Sequence, residues 1–273
     1  MFGGAMMKNQ EDYTTEMTGT TYKVESGIAT ITLNRPNQYN TLTEQVILDL
    51  MSKLDEIAHD REIKVLIIAS NGKAFSTGHD LKDMLKNNNE AYFTDLLGLC
   101  SSMMQKIVTL PQPVIAQVQG IATAAGCQLV ATCDLAVAGE SSIFATNGIV
   151  NGLYCATPSV AVSRVVPKKV AMEMLLTGDF ISSKKAEKIG LINKVTPDKN
   201  VAEETRLLAQ KIAEKSQFAV RLGKRSFNEQ SGKPLTEAYA QTSADLVCNL
   251  LAPDGQEGLN AFSEKRQPEW EDA

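Results

Sequence analysis

Histidine is nearly missing from this chain of 273 residues, which holds only His59 and His79. A His-rich metal site is therefore excluded, and a Ser-His-Asp triad has just two possible bases. Aromatic residues make up 5%, too few for a base-stacking nucleic-acid surface. Positive charge is also short. The 27 Lys+Arg stand against 32 Asp+Glu, a formal charge of −5. A general binder of nucleic acid or of a membrane surface leans the other way, so neither partner is expected. An anionic ligand requires a local cationic patch. The five cysteines (Cys100, Cys127, Cys133, Cys155 and Cys248) form no C-x-x-C pair. That pattern argues against a zinc ribbon and a disulfide scaffold. It reads as reduced thiols buried as small core residues.

Phosphate-binding glycine motifs are missing as well. There is no G-x-G-x-x-G and no G-x-x-x-x-G-K-[ST], and neither G-x-S-x-G nor H-E-x-x-H occurs. Two long stretches, Ile107–Cys133 and Ser141–Ser163, carry no charge. Their prolines, glutamines and asparagines make them buried protein interior rather than membrane spans. Residues 1–19 have neither an apolar h-region nor an arginine. They read as a disordered extension, neither a secretory signal nor a good presequence. A cytoplasmic location is expected, with a mitochondrial matrix form open if the chain is organellar.

What is present is a mixed pattern. Tyr22–Glu25 and Ile28–Leu33 flank Ser26-Gly27, as in a β-hairpin. Thr41-x-x-Glu44 resembles a capping box ahead of Val46, Ile47, Leu50, Leu54 and Ile57 at helical spacing. Val65–Ala69 and Val114–Val118 are continuous apolar runs, as expected of strands buried on both faces. Asp134–Ala138 is a further strand, with Asp134 as a structural acceptor. Beyond Pro158 the pattern is helix upon helix, with candidates at 170–176, 184–188, 202–215, 218–228, 235–250 and 254–265. The expected organisation is an α/β core over 20–200 and a helical region over 201–273.

Two segments stand out. The first is Lys73-Ala-Phe-Ser-Thr-Gly-His-Asp-Leu-Lys82. The second is Gly120-Ile-Ala-Thr-Ala-Ala-Gly-Cys-Gln-Leu-Val-Ala-Thr-Cys-Asp134. Each follows a buried strand, turns on small residues and enters a helix. A helix start leaves main-chain N–H groups free. Two such turns face to face make an oxyanion hole; ordinary strand–helix packing is the alternative.

These segments resemble the paired oxyanion-hole motifs of the crotonase (enoyl-CoA hydratase/isomerase) superfamily. The likeness extends over about residues 20–270. It includes Leu33-Asn-Arg-Pro36, Pro113-Val-Ile-Ala116, Glu173-Met-Leu-Leu-Thr-Gly178 and Glu257-Gly-Leu-Asn-Ala-Phe-Ser-Glu-Lys-Arg266. The resemblance implies a β-β-α spiral core with a helical C-terminal trimerisation region. It implies a trimer or dimer of trimers, and a coenzyme A thioester as substrate or ligand with no other cofactor and no metal. The thioester oxygen is then received by the amides of His79 and Ala125. Members commonly carry Gly or Ala at the first position, so His79 is a departure. Its imidazole is either a bystander or a substrate contact. Ala74, Ser76, Asp80 and Leu81 are expected along the ligand, with Asp80 also capping the next helix. Lys73, Lys82 and Lys265 are candidate CoA cations, or else solvated surface residues. Phe262 is expected near the adenine or acyl end from an adjacent subunit, or else in helix packing. Arg35 shapes the CoA channel or makes a structural salt bridge.

Typical hydratases of that family use two glutamates to activate water. The matching positions here are Gln128 and Gly148, and neither moves a proton. General acid–base catalysis is worth about 10²–10⁴ in rate, so hydration is expected to be weak even with both oxyanion donors in place. Tyr154 is a candidate donor near the vacancy, or else a buried aromatic. Cys155 is a poor nucleophile, because no histidine is expected beside it. Three functions remain: an acyl-CoA enzyme running through a stabilised enolate, hydratase-like by lineage but a decarboxylase of malonyl-type thioesters or an isomerase; a non-catalytic acyl-CoA binder; and a scaffold that has lost CoA.

Overall fold

The computed structural model describes residues 19–271. The expectation of a disordered extension falls almost wholly outside that range. The chain opens with β1 (Thr20–Glu25) and β2 (Ile28–Leu33), an antiparallel pair. Ser26 and Gly27 join them at φ 52° and 74°, the left-handed pair that a two-residue hairpin requires. Next come α1 (Glu44–His59), β3 (Val65–Ser70), β4 (Ala74–Ser76), α2 (Leu81–Lys86) and α3 (Glu90–Thr109). The middle of the chain is β5 (Val114–Val118), β6 (Ile121–Thr123), α4 (Ala125–Thr132), β7 (Leu135–Gly139) and β8 (Ile143–Ala145). It continues through α5 (Ala156–Val165), α6 (Lys168–Thr177), β9 (Ile181–Ser182), α7 (Ser183–Lys188) and β10 (Lys194–Thr196). Four helices end it: α8 (Val201–Ala213), α9 (Gln217–Gln230), α10 (Leu235–Leu251) and α11 (Pro253–Glu264).

Two sheets result, one ordered β1-β2-β3-β5-β7-β10 and a smaller one ordered β4-β6-β8-β9. Each turn of the chain lays a strand in the first sheet, a short strand in the second, and then a helix. The pairs β3/β4, β5/β6 and β7/β8 repeat this step, which is the β-β-α spiral. All of β3 is buried. Its side chains alternate between two apolar layers. Val65, Ile67 and Ala69 pack with Ala209 of α8, and Leu66 and Ile68 join the main core with Leu50 and Leu54 of α1. That two-sided burial explains the unbroken apolar run.

Several expectations are corrected. Thr43, not Thr41, caps α1, with its hydroxyl accepting from the Val46 N–H at 3.4 Å. The Thr41 hydroxyl instead donates to Asp80 Oδ2 at 3.3 Å. Asp134 lies just before β7. Cys100, Cys127, Cys133 and Cys155 are buried, but Cys248 is exposed. Three features were not expected: α5, the strand β10 and the smaller sheet. The proline in α5, Pro158, sits in its first turn, where no N–H is needed. The strands of the smaller sheet have two or three residues, too few to display a period.

Candidate functional site

Parallel pairing of β4 with β6 sets Ser76 beside Ala122, and so brings the two motif turns side by side. Close approach then fixes the small residues. A Cβ on Gly126 would stand 2.1 Å from the Ser76 carbonyl oxygen. A Cβ on Gly78 would stand 2.9 Å from the Ala125 nitrogen, and its φ of +84° is itself a glycine conformation. The chain enters α4 through Ala124 at φ 48°, whose N–H donates to the Ala145 carbonyl at 3.0 Å. Ala125 follows as the first helical residue, 2% exposed. Among the described residues, neither the His79 N–H nor the Ala125 N–H is paired with an acceptor.

The His79 imidazole is tied down from the other side. Its Nδ1 lies 3.1 Å from the Leu42 carbonyl oxygen. A carbonyl only accepts, so Nδ1 carries the hydrogen and Nε2 keeps its lone pair. Nε2 is buried without a partner. Burial holds the ring below the usual histidine range, and the Leu42 carbonyl opposes that only in part. The ring is neutral at pH 7.

Gln128 stands one helical turn beyond Ala124, its N–H donating to the Ala124 carbonyl at 3.0 Å. It is 4% exposed, and its Oε1 is buried with no partner. At Gly148 a Cβ would meet the Leu153 carbonyl oxygen at 2.4 Å and Cys155 Sγ at 2.9 Å. The loop that follows fills the space of a side chain. Tyr154 is about half exposed (49%), not a buried aromatic. The Cys155 thiol is pushed up by burial, against a nucleophilic role.

Asp80 caps α2, accepting from the Lys82 N–H at 3.0 Å and the Asp83 N–H at 3.4 Å. Ala74 and Ser76 are buried in β4, and Leu81 is exposed. Lys73, Lys82 and Lys265 are exposed, and Phe262 is 87% exposed on α11, which packs on α9 and α10. Arg35 donates to the hydroxyls of Thr43 at 3.2 Å and Thr41 at 3.5 Å. A cleft of about 570 Å³ is lined by Arg35, Thr43, Glu44, Asp83 and Tyr92 among others. None of His79, Ala125 and Gln128 lines it, and two carboxylates do, which makes it a poor receptacle for a polyanion. Among the described residues no group of three or more His, Cys, Asp or Glu could hold a metal ion, and no helix is long and apolar enough to cross a membrane.

Sequence reasoning missed Asn40, whose side chain laces the loop after β2 to β4. Leu33-Asn-Arg-Pro36 and the Thr41 pattern flank it, and neither points to its side chain. It also missed Lys224 of α9, a buried cation 2.7 Å from Asp134.

A family model described as enoyl-CoA hydratase/isomerase matches residues 23–273. The frog (Xenopus laevis) protein named "Enoyl-CoA hydratase domain-containing protein 3, mitochondrial" is 47% identical over 251 residues, covering 92% of this chain and 85% of the relative. The human protein of the same name is 46% identical over 244 residues, covering 89% and 80%. Among solved structures, an enoyl-CoA hydratase of Mycobacterium smegmatis superposes with a TM-score of 0.91 at 43% identity, covering 92% of this chain and 98% of that one. The human domain-containing protein 3 superposes with a TM-score of 0.90 at 46% identity, covering 92% and 100%.

Proposed function

Because this chain belongs to the enoyl-CoA hydratase/isomerase family, we propose that it binds an acyl-CoA thioester and polarises its carbonyl between the main-chain N–H groups of His79 and Ala125. The observation that carries this reading is the pair of unsatisfied amides on interlocked turns. Main-chain donors fixed by the fold need no reorganisation when charge develops on the oxygen, and each is worth about 3 kcal/mol. The thioester is substrate or ligand, with no further cofactor. Lys73, Lys82 and Lys265 supply the charge that a polyanion needs, and Arg35 shapes the approach. Phe262 and Lys265 serve the site of a neighbouring copy in a trimer or a dimer of trimers.

Ordinary hydration is slow in this site. Gln128 can orient a water or an acyl group but cannot take a proton, and Gly148 offers no side chain. An enolate formed by losing carbon dioxide from a malonyl-type thioester requires no base and suits such a site; the half-exposed Tyr154 is the nearest candidate donor by sequence. The mitochondrial names of the vertebrate relatives favour that organelle over the cytoplasm.

The test pairs calorimetric titration of butyryl-CoA with an activity panel. Butyryl-CoA binds, crotonyl-CoA loses its enone absorbance slowly, and Ala125→Val weakens binding by crowding the donors. Rapid enone loss contradicts the slow-hydration reading. Unchanged affinity in Ala125→Val contradicts the site. Malonyl-CoA followed by mass spectrometry decides between a decarboxylase and a silent binder.

A further inference from the structure

Tyr39 and Asn40 are consecutive non-glycine residues in the left-handed region, at φ 51° and 53°. Such conformations persist only where the surroundings over-determine them, and they cluster at functional sites. Here the Asn40 side chain does the holding. It is 2% exposed. Its Nδ2 donates to the Ala74 carbonyl at 2.7 Å and to the Asn71 carbonyl at 2.8 Å, and its Oδ1 accepts from the Arg35 N–H at 2.8 Å. Both donor hydrogens and the acceptor oxygen are used. The loop after β2 is thereby clamped along β4.

The clamp continues to the first motif turn. The Asn40 carbonyl accepts from the Ser76 hydroxyl at 2.8 Å, and the same hydroxyl oxygen accepts from the Gly78 N–H at 3.2 Å. Two residues on, the Leu42 N–H donates to the Gly78 carbonyl at 2.8 Å. That carbonyl and the His79 N–H belong to one planar trans peptide, so they point in opposite directions. Fixing the Gly78 oxygen toward Leu42 aims the His79 N–H away from Leu42. The ring tie from His79 Nδ1 to the Leu42 carbonyl holds the same junction at 3.1 Å.

We propose that Asn40 is a positioning residue that sets the direction of the His79 main-chain N–H through this relay. The inference rests on the reading above, in which that N–H receives the thioester oxygen. Asn40 touches no ligand atom. Its effect is confined to the one ligand group that the N–H binds, the carbonyl.

The test compares acetyl-CoA with S-ethyl-CoA, a thioether that keeps the CoA moiety and lacks the carbonyl. The variant is Asn40→Gly, which accepts the left-handed backbone and removes only the side-chain bonds. Acetyl-CoA binding is expected to weaken about tenfold, the scale of one mispositioned hydrogen bond, while S-ethyl-CoA affinity stays unchanged. Equal weakening of both ligands, or no change in either, overturns the role of Asn40. Should Asn40→Gly fail to fold, Asn40→Ser keeps a polar side chain without the two amide donors and must give the same selective loss; an unchanged ratio there overturns it too. A wild-type protein that binds both ligands equally removes the carbonyl reading itself. A wild-type preference that survives in the variant removes only Asn40.

Discussion

Gly148 lacks a side chain in a place where its neighbours leave none any room. The Leu153 carbonyl and the Cys155 thiol fill the volume that a Cβ would take. Gly148→Glu therefore does not rebuild a hydratase. It is expected to destabilise the protein by about 1–3 kcal/mol, the cost of overpacking, and to leave crotonyl-CoA hydration slow. Thermal melting and enone absorbance check both parts. His79 yields a pH prediction. Burial lowers its folded-state pKa, so the unfolded chain takes the proton first as pH falls. Stability is full above the ordinary histidine value of about 6.5 and declines as the solution is acidified below it. His79→Gln removes that part of the decline, read as a flatter melting temperature against pH between 7 and 5. Gln128 and Gly148 stood out in the sequence because each is a change of chemical type at a motif position of the resemblance. Asn40 did not, because its partners are main-chain oxygens that no sequence pattern announces.

At the level of elements, α9 is joined to the core by an ion pair whose cation is buried and whose carboxylate is partly exposed. Lys224 Nζ lies 2.7 Å from Asp134 Oδ2 and donates to the carbonyls of Ile107 at 2.9 Å and Gln112 at 3.0 Å. Asp134 Oδ2 also accepts from the Val114 N–H at 2.7 Å, at the start of β5. Burial raises the Asp134 carboxyl and lowers the Lys224 ammonium, and each is opposed by the other's charge. Replacing one partner strands the other. Lys224→Met is expected to cost about 1–3 kcal/mol in urea unfolding, and Lys224→Met with Asp134→Asn less than the sum of the singles. An additive double-mutant cycle refutes the coupling. The long elements were legible from periodicity: β2, β3, β5, α1 and α8 to α11 all fall within a few residues of expectation. The small sheet was not, since its strands are set by tertiary pairing. Thr41 was misassigned because a capping box pattern does not say which of two threonines lies at the helix start.

The whole molecule presents apolar side chains that a lone chain leaves in solvent. Phe227, Leu235, Tyr239, Leu251 and Phe262 are each at least 67% exposed, on α9, α10 and α11. Patches of this kind mark interfaces. Sedimentation equilibrium is expected to give three or six times the chain mass, and Leu251→Asp to shift the population toward monomer. A monomeric wild type contradicts the assembly. The spiral and its two turns were legible through resemblance, which also implied assembly through the C-terminal helices; the exposed apolar residues on α9 and α10 were not singled out, because burial against a second chain leaves the same apolar pattern as burial within one. A carbonyl held between two amide donors loses double-bond character, and its vibration reports that. The most direct measurement is the infrared carbonyl stretch of a ¹³C-labelled acyl-CoA thioester, free and bound. A shift to lower frequency is expected on binding, and it shrinks in Ala125→Val. A bound thioester with the frequency it has in water contradicts it.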